Sequence, residues 1–390
     1  MKHTTYLIIG GGLAADGAVK GIREIDKDGS ICLISGEGVG PYIRPNLSKG
    51  LWKGKDVKKI WCNTEEQGVD MVLNRVVITL DPNQKRAVDN QGDVYTYDKL
   101  LLATGGNPIH LPFGKDLITY FRTFADYQHL RDLTESGSAF LVIGGGFIGA
   151  EIAASLKGIG KDVIMAFPEE TLGSRVYPKD LGLFLNDYYR NQGVEIYTGD
   201  TIEDVQQDAQ KILAFSKSGK RFSIDGVVAG IGIRPNIALA QESGLTVSNG
   251  IDVNEYLQSS ISDIYAAGDV ANFYHHLLGK RVRVEHEDNA VSMGHTAGRN
   301  MAGASEAYEY APMFYSDLLD LGYEAVGELD SRLETFSDWT EPFKKGVIYY
   351  LEDNYIKGVL LWNVWDTVDK ARALIAEKKQ YSKDELAGLL

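Results

Sequence analysis

Cysteine is scarce in this chain. Among 390 residues there are two, Cys32 and Cys62, and neither belongs to a C-x-x-C or C-x-x-x-x-C pair. That excludes an internal dithiol relay. Cys32 lies in an apolar stretch and reads as a small core hydrophobe, whereas Cys62 follows Trp61 in polar surroundings. Positive charge is also in deficit: 40 Lys and Arg against 54 Asp and Glu give a net charge of −14, which argues against nucleic acid as the main partner. Long apolar runs are missing. None approaches the roughly 20 residues that span a bilayer, and a first strand beginning by Tyr6 leaves no room for a signal or transit peptide. The expectation is a soluble cytoplasmic protein, monomer or homodimer. The 7 histidines show no metal-ligand spacing with a carboxylate. Adjacent His275 and His276 cannot share a helical face, and no metal site is expected.

Glycine, by contrast, is plentiful, at 43 residues. It concentrates in two similar turns. Gly10-Gly11-Gly12-Leu13-Ala14-Ala15 follows the apolar run Tyr6 to Ile9, and Gly144-Gly145-Gly146-Phe147-Ile148-Gly149 follows Phe140 to Ile143. Each reads as strand, G-x-G-x-x-G/A, helix. Such a turn brings the backbone close to a pyrophosphate and aims a helix N-terminus at its charge. Apolar residues then recur at helical spacing: Ala14, Ala18, Ile22 and Ile25 after the first turn, Ile148, Ile152, Leu156 and Ile159 after the second. A further strand follows each helix, and an acid stands just past it, Glu37 in one unit and Glu169 in the other. There it can accept from a ribose hydroxyl. Two such units imply two dinucleotides.

Further along, the apolar stretches ending in Ala103-Thr104-Gly105, in Gly230-Ile231-Gly232 and in Ala267-Gly268-Asp269 read as strands closing in turns. A helix is expected over Asn289 to Met301. Lys345 to Tyr350 and Ile356 to Trp362 read as a hairpin turning at Asp353-Asn354, with a helix over Thr367 to Lys379. The fold class expected is α/β: two Rossmann-like dinucleotide-binding domains, as in glutathione reductase, plus a small α+β C-terminal domain.

Together these signals resemble the FAD- and NAD(P)H-dependent pyridine-nucleotide oxidoreductases. Pro41-Tyr42-Ile43-Arg44-Pro45-Asn46-Leu47-Ser48-Lys49 is similar to the P-Y-x-R-P-P-L-S-K segment of ferredoxin reductases, monodehydroascorbate reductases and apoptosis-inducing factor. Met313-Phe314-Tyr315-Ser316-Asp317 and Gly322 to Gly327 lean towards the last of these. In the disulfide reductases of the superfamily the segment around Arg44 to Ser48 holds the redox cysteines, and here it holds none. Three departures stand out: Asn46 replaces a proline, Tyr315 stands where a tryptophan is usual, and Glu287 stands where an aromatic or His is usual.

The resemblance implies a discontinuous FAD-binding domain (residues 1–112 and 250–305), an NAD(H)-binding domain (113–249) and a C-terminal domain lining the flavin (306–390). It places FAD on Gly10, Gly12, Leu13, Ala14, Ala15, Glu37, Arg44, Lys49, Ala103, Thr104, Gly105, Asp269, Glu287 and Tyr315. It places NAD on Gly144, Gly146, Phe147, Ile148, Gly149, Glu169, Arg175 and Gly232. Lys49 and Glu151 would pair near the flavin N5 and stabilise charge as the ring is reduced. Glu169 and Glu170 favour NADH by repelling a 2′-phosphate, against the counter-signal of Arg175.

The activity implied is transfer of electrons from NADH, through FAD, to a one-electron carrier such as ferredoxin or rubredoxin, or to a quinone-like acceptor. The alternatives are an NADH-sensing interaction protein like apoptosis-inducing factor, or a monodehydroascorbate-type reductase. A lysine-rich stretch, Lys49 to Lys59, interrupts the acidic sequence. It reads either as a docking patch for an acidic carrier with Trp52 as its apolar anchor, or as a solvated loop with Trp52 in the core.

Overall fold

The structure, a computed structural model, describes residues 1–390. Its eight α-helices are α1 (Leu13–Ile25), α2 (Phe124–Ser136), α3 (Phe147–Gly158), α4 (Lys179–Asn191), α5 (Ala238–Glu242), α6 (Glu287–Met301), α7 (Val368–Ala376) and α8 (Lys383–Leu386). The chain divides into two compact units. The first comprises Met1–Arg44, Val57–Asn107 and Arg234–Pro312, and the second Pro45–Asp56, Pro108–Ile233 and Met313–Leu390.

In the first unit the strands run Val69–Val72, Ile31–Ile34, Lys2–Ile9, Val94–Leu102, Arg86–Asp89 and Val77–Asp81 in order across one sheet, and Ile264–Ala266 also pairs with Val94–Leu102. The three strands that matter most are parallel and in register at their ends: Ile9 lies beside Leu102, and Leu102 beside Ala266. Leu7, Ile8, Leu100, Leu101 and Ala266 are fully buried, the near-continuous apolar pattern of a parallel sheet covered on both faces. Three turns therefore leave the sheet at one edge, the carboxyl ends of its strands, where open α/β sheets bind ligands.

α1 and α6 meet backbone to backbone, with Glu24 of α1 also paired to His295 and Arg299 of α6. A Cβ on Gly294 would come within 2.1 Å of the Ala14 carbonyl oxygen, and one on Gly298 within 2.1 Å of that of Ala18. From the other side, a Cβ on Gly21 would meet the His295 carbonyl oxygen at 2.1 Å. Only glycine permits an approach this close.

The second unit contains a five-stranded parallel sheet in the order Val194–Thr198, Asp162–Phe167, Ala139–Ile143, Gly226–Ala229, Ile118–Tyr120. It also contains a three-stranded antiparallel meander and a five-stranded antiparallel C-terminal sheet in which Met313–Leu318 is an edge strand. The hairpin read from the sequence is present, as Lys345–Glu352 and Tyr355–Trp362. Asp353 and Asn354 both take positive φ (51° and 65°), the two-residue turn that matches strand twist. The protein is thus an α/β fold of two dinucleotide-binding domains with a small C-terminal domain.

Candidate active site

The two glycine turns are built alike. Gly10 (φ 125°) and Gly144 (φ 111°) adopt backbone that other residues avoid. A Cβ on Gly10 would sit 2.0 Å from the Ala103 carbonyl oxygen, and one on Gly144 2.5 Å from that of Gly230. α1 and α3 then begin at Gly12 and Gly146, neither with a side-chain cap, whereas α2 is closed by a Thr123–Asp126 capping box. Beside Gly12 and Gly146 a Cβ would meet nothing within 4 Å. Uncapped N–H groups facing open space fit an anion at each turn.

In the first unit the turn 103–105 lies against the Gly10 turn and is tied to Asn236 by hydrogen bonds at 2.9 Å. Gly268 packs on Ala14, so that Asp269 follows directly beside the first turn of α1. The Glu37 carboxylate accepts from the Tyr42 hydroxyl at 2.7 Å and the Arg44 guanidinium at 2.8 Å. Arg44 lies over the Tyr42 ring at 4.9 Å, and Asp269 is within its electrostatic range. Glu287 opens α6. The first unit's sequence-predicted residues therefore collect at one sheet edge.

In the second unit Phe147, Ile148 and Gly149 form the first turn of α3. Half-buried Glu169 stands past the end of Asp162–Phe167. Arg175 is exposed, two residues beyond Gly173, whose N–H donates to the Gly145 carbonyl at 2.8 Å. Gly232 (φ 101°) accepts from the Ile109 N–H at 2.9 Å.

The same unit brings Lys49 and Glu151 together. Lys49 Nζ lies 3.1 Å from Glu151 Oε1, with the two residues 9% and 5% exposed. The Tyr315 ring lies under the ammonium, 4.2 Å from its centroid. Sequence reasoning missed two further partners. Ser48 Oγ donates to Glu151 Oε2 and Ser316 Oγ to Glu151 Oε1, both at 2.6 Å. Each serine sits inside a segment noted for its neighbours, but nothing local marks a hydroxyl as facing a carboxylate more than 100 residues away. Tyr177, Tyr189 and Tyr323 surround this group, and burial keeps all three phenols well above their ordinary pKa.

The thiols stand apart from this chemistry. Cys32 is buried, and burial raises its pKa. Cys62 is half-buried and pushed up to about 12, by burial first and then by Asp16. Neither is a ready thiolate.

One reading of the lysine-rich stretch is corrected. Trp52 is buried, its indole N–H donating to the Leu47 carbonyl at 2.6 Å, its ring edge-on to Tyr127 and covered by Arg131. It cannot anchor a partner, because the indole already satisfies its polar atom and its faces inside the second unit. Lys53, Lys55, Lys58 and Lys59 are exposed.

Comparison with known proteins agrees with this geometry. The pyridine nucleotide-disulphide oxidoreductase family model matches residues 4–294. The apoptosis-inducing factor, mitochondrion-associated, C-terminal model matches residues 297–342 and 337–377. Apoptosis-inducing factor 1, mitochondrial, of Dictyostelium discoideum is 35% identical across 97% of this chain and 79% of its own length. The 5,5'-dehydrodivanillate O-demethylase ferredoxin reductase subunit of Sphingobium is 31% identical across 99% of this chain and 97% of its own. Among solved structures, the reductase-like chain of the covalent putidaredoxin reductase–putidaredoxin complex superposes with a TM-score of 0.92 at 28% identity, over 99% of this chain and 96% of that one. No helix is long and apolar enough to cross a membrane. With two dinucleotide turns, a cysteine-free segment at Arg44 to Ser48 and a match over most of its length, the chain belongs to the pyridine nucleotide-disulphide oxidoreductase family as an FAD-dependent NAD(P)H oxidoreductase.

Proposed function

We propose that this protein carries electrons from NADH to a small acidic one-electron carrier of the ferredoxin type. The observation that carries the reading is the buried Lys49–Glu151 pair at the end of a segment without cysteine. That segment ends in Lys49, paired with Glu151 of α3, and holds no dithiol, so a thiol substrate has no partner there. The names of the Sphingobium relative and of the putidaredoxin reductase complex support a ferredoxin-type acceptor.

In this reading Gly10, Gly12, Leu13, Ala14 and Ala15 hold the FAD pyrophosphate. Glu37, Arg44, the turn 103–105, Asp269 and Glu287 hold its remaining polar groups. Gly144, Gly146, Phe147, Ile148, Gly149 and Gly232 hold the nicotinamide dinucleotide. Bound FAD takes electrons in pairs and releases them singly. Lys49, over the Tyr315 ring and beside Glu151, presents a positive charge in a site largely closed to water, where it acts at higher strength than at the surface.

Glu169 selects NADH over NADPH. A carboxylate past the second strand accepts from a ribose diol but meets a 2′-phosphate with like charge, while Arg175 stays exposed. Glu169→Ala should narrow the preference for NADH about tenfold, measured as the ratio of flavin reduction efficiencies with the two nucleotides. A wild-type preference for NADPH would assign the pocket to Arg175 instead.

The test of the whole reading is anaerobic titration with NADH, then mixing with candidate carriers. Rapid reoxidation by one acidic iron–sulfur carrier is expected. Reversing the charges of Lys53, Lys55, Lys58 and Lys59 should lower that carrier's association rate and weaken its salt dependence, with NADH reduction unchanged. Unchanged carrier kinetics at low salt would move docking elsewhere, first to Lys280-Arg281-Val282-Arg283. A second reading, NADH sensing with assembly as the output, is favoured by the C-terminal match. Its signature is a long-wavelength charge-transfer band that persists in air.

A further inference from the structure

The Glu151 carboxylate has more donors than an ion pair needs. Ser316 and Lys49 share Oε1, and Ser48 takes Oε2. Both hydroxyl contacts, at 2.6 Å, are as short as charge-assisted O–H···O⁻ bonds. A serine carries one hydroxyl proton, so facing a carboxylate it donates that proton. Ser48 and Ser316 are 4% and 1% exposed, so no water competes for either.

The two serines are themselves held. The Ser48 carbonyl accepts from Ser155 Oγ at 2.6 Å. Ser155 lies one turn beyond Glu151 on α3, so a single helix face grips Ser48 by both its carbonyl and its hydroxyl. Ser316 is on the edge strand Met313–Leu318, opposite Tyr323 in the antiparallel register. The neighbouring residue, Tyr315, is the one that covers Lys49. One short stretch of strand thus touches the carboxylate with one residue and the ammonium with the next. Tyr323, opposite Ser316, and Tyr177 are buried, and burial keeps both phenols neutral, so they offer the carboxylate no second charge.

We propose that Ser316, seconded by Ser48, is a positioning residue for electron transfer: the two hydroxyls hold Glu151 so that Lys49 shares one carboxylate oxygen and is not wholly neutralised by it. Without Ser316 the Oε1 oxygen draws on Lys49 alone, with Ser48 left on Oε2, and the positive charge available to the flavin falls. The inference rests on the proposed role of the Lys49–Glu151 pair.

The test uses full-length, FAD-loaded protein. Ser316→Ala should shift the two-electron flavin potential negative by a tenfold change in equilibrium constant, about 30 mV. The limiting rate of reduction by NADH should fall roughly tenfold, with the NADH dissociation constant within about twofold of wild type. Ser316→Thr, which keeps the hydroxyl, should restore both. If the alanine variant does not retain FAD, Ser316→Cys, of similar shape but a weak donor, is read in its place. A lower melting temperature with unchanged potential and rate would show a merely structural role and overturn the inference. So would failure of a folded threonine variant to restore the potential. Glu151→Gln separates the two levels. If it slows reduction and Ser316→Ala does not, only the inference falls. If it has no effect, the role of the pair falls as well.

Discussion

Lys49→Met should slow reduction of the flavin by NADH on the order of 100-fold, and Glu151→Gln by a similar factor, with the double variant far from additive. The reason is burial. At 9% and 5% exposure the two groups cannot exchange each other for water. Removing one charge leaves the other uncompensated in a site of low dielectric, at a cost to stability of about 3 kcal/mol. The hydroxyls of Ser48 and Ser316 soften this for Glu151 but not for Lys49, whose other close neighbour is the Tyr315 ring. Lys49 therefore depends on Glu151 more than Glu151 does on Lys49, and Glu151→Gln should be the less stable single variant. Stopped-flow reduction of the four proteins of the cycle gives the coupling directly. Strictly additive effects would mean that the two residues act separately.

Gly294→Ala should destabilise the protein by about 3 kcal/mol or more and release FAD. Helix propensity predicts the reverse, because alanine is favoured over glycine by about 1 kcal/mol inside a helix. Sterics decide. The added methyl would lie 2.1 Å from the Ala14 carbonyl oxygen, on the first turn of the helix proposed above to hold the FAD pyrophosphate at its N-terminus. Neither backbone can yield without moving that turn. Gly298→Ala should behave alike, against Ala18. Gly158→Ala is the control: it ends α3, a Cβ there meets nothing within 4 Å, and it should be neutral or stabilising. Melting temperature and retained flavin absorbance read all three. A Gly294→Ala protein at least as stable as wild type would mean that α1 and α6 do not touch as described.

The parts of this molecule legible in its sequence were those written in local pattern. The two glycine turns, the helices behind them, the apolar strands and the Asp353-Asn354 turn each follow from residues within a few positions of one another. The Lys49–Glu151 pair was legible only through the resemblance, since neither residue is unusual where it stands. The serine hydroxyls were not legible at all: Ser316 meets Glu151 across 165 positions, and no periodicity records such a contact. Trp52 sat in a run of lysines that suggested a surface, yet the indole was taken inward by Leu47, Tyr127 and Arg131. Gly17, Gly21, Gly294 and Gly298 are each spaced by four, which in sequence weakens a helix. In the fold the same spacing lines a backbone seam.

That seam has a consequence for synthesis. α6 begins at Glu287, about 260 residues after α1 ends at Ile25, and the strand Ile264–Ala266 comes almost as late. On a ribosome adding roughly 5–20 residues per second, the amino-terminal segment waits on the order of 10–50 seconds for the elements that close it. Much of the second unit is made and free to fold in that interval. For this chain, the first nucleotide site to be encoded is the later of the two to be finished.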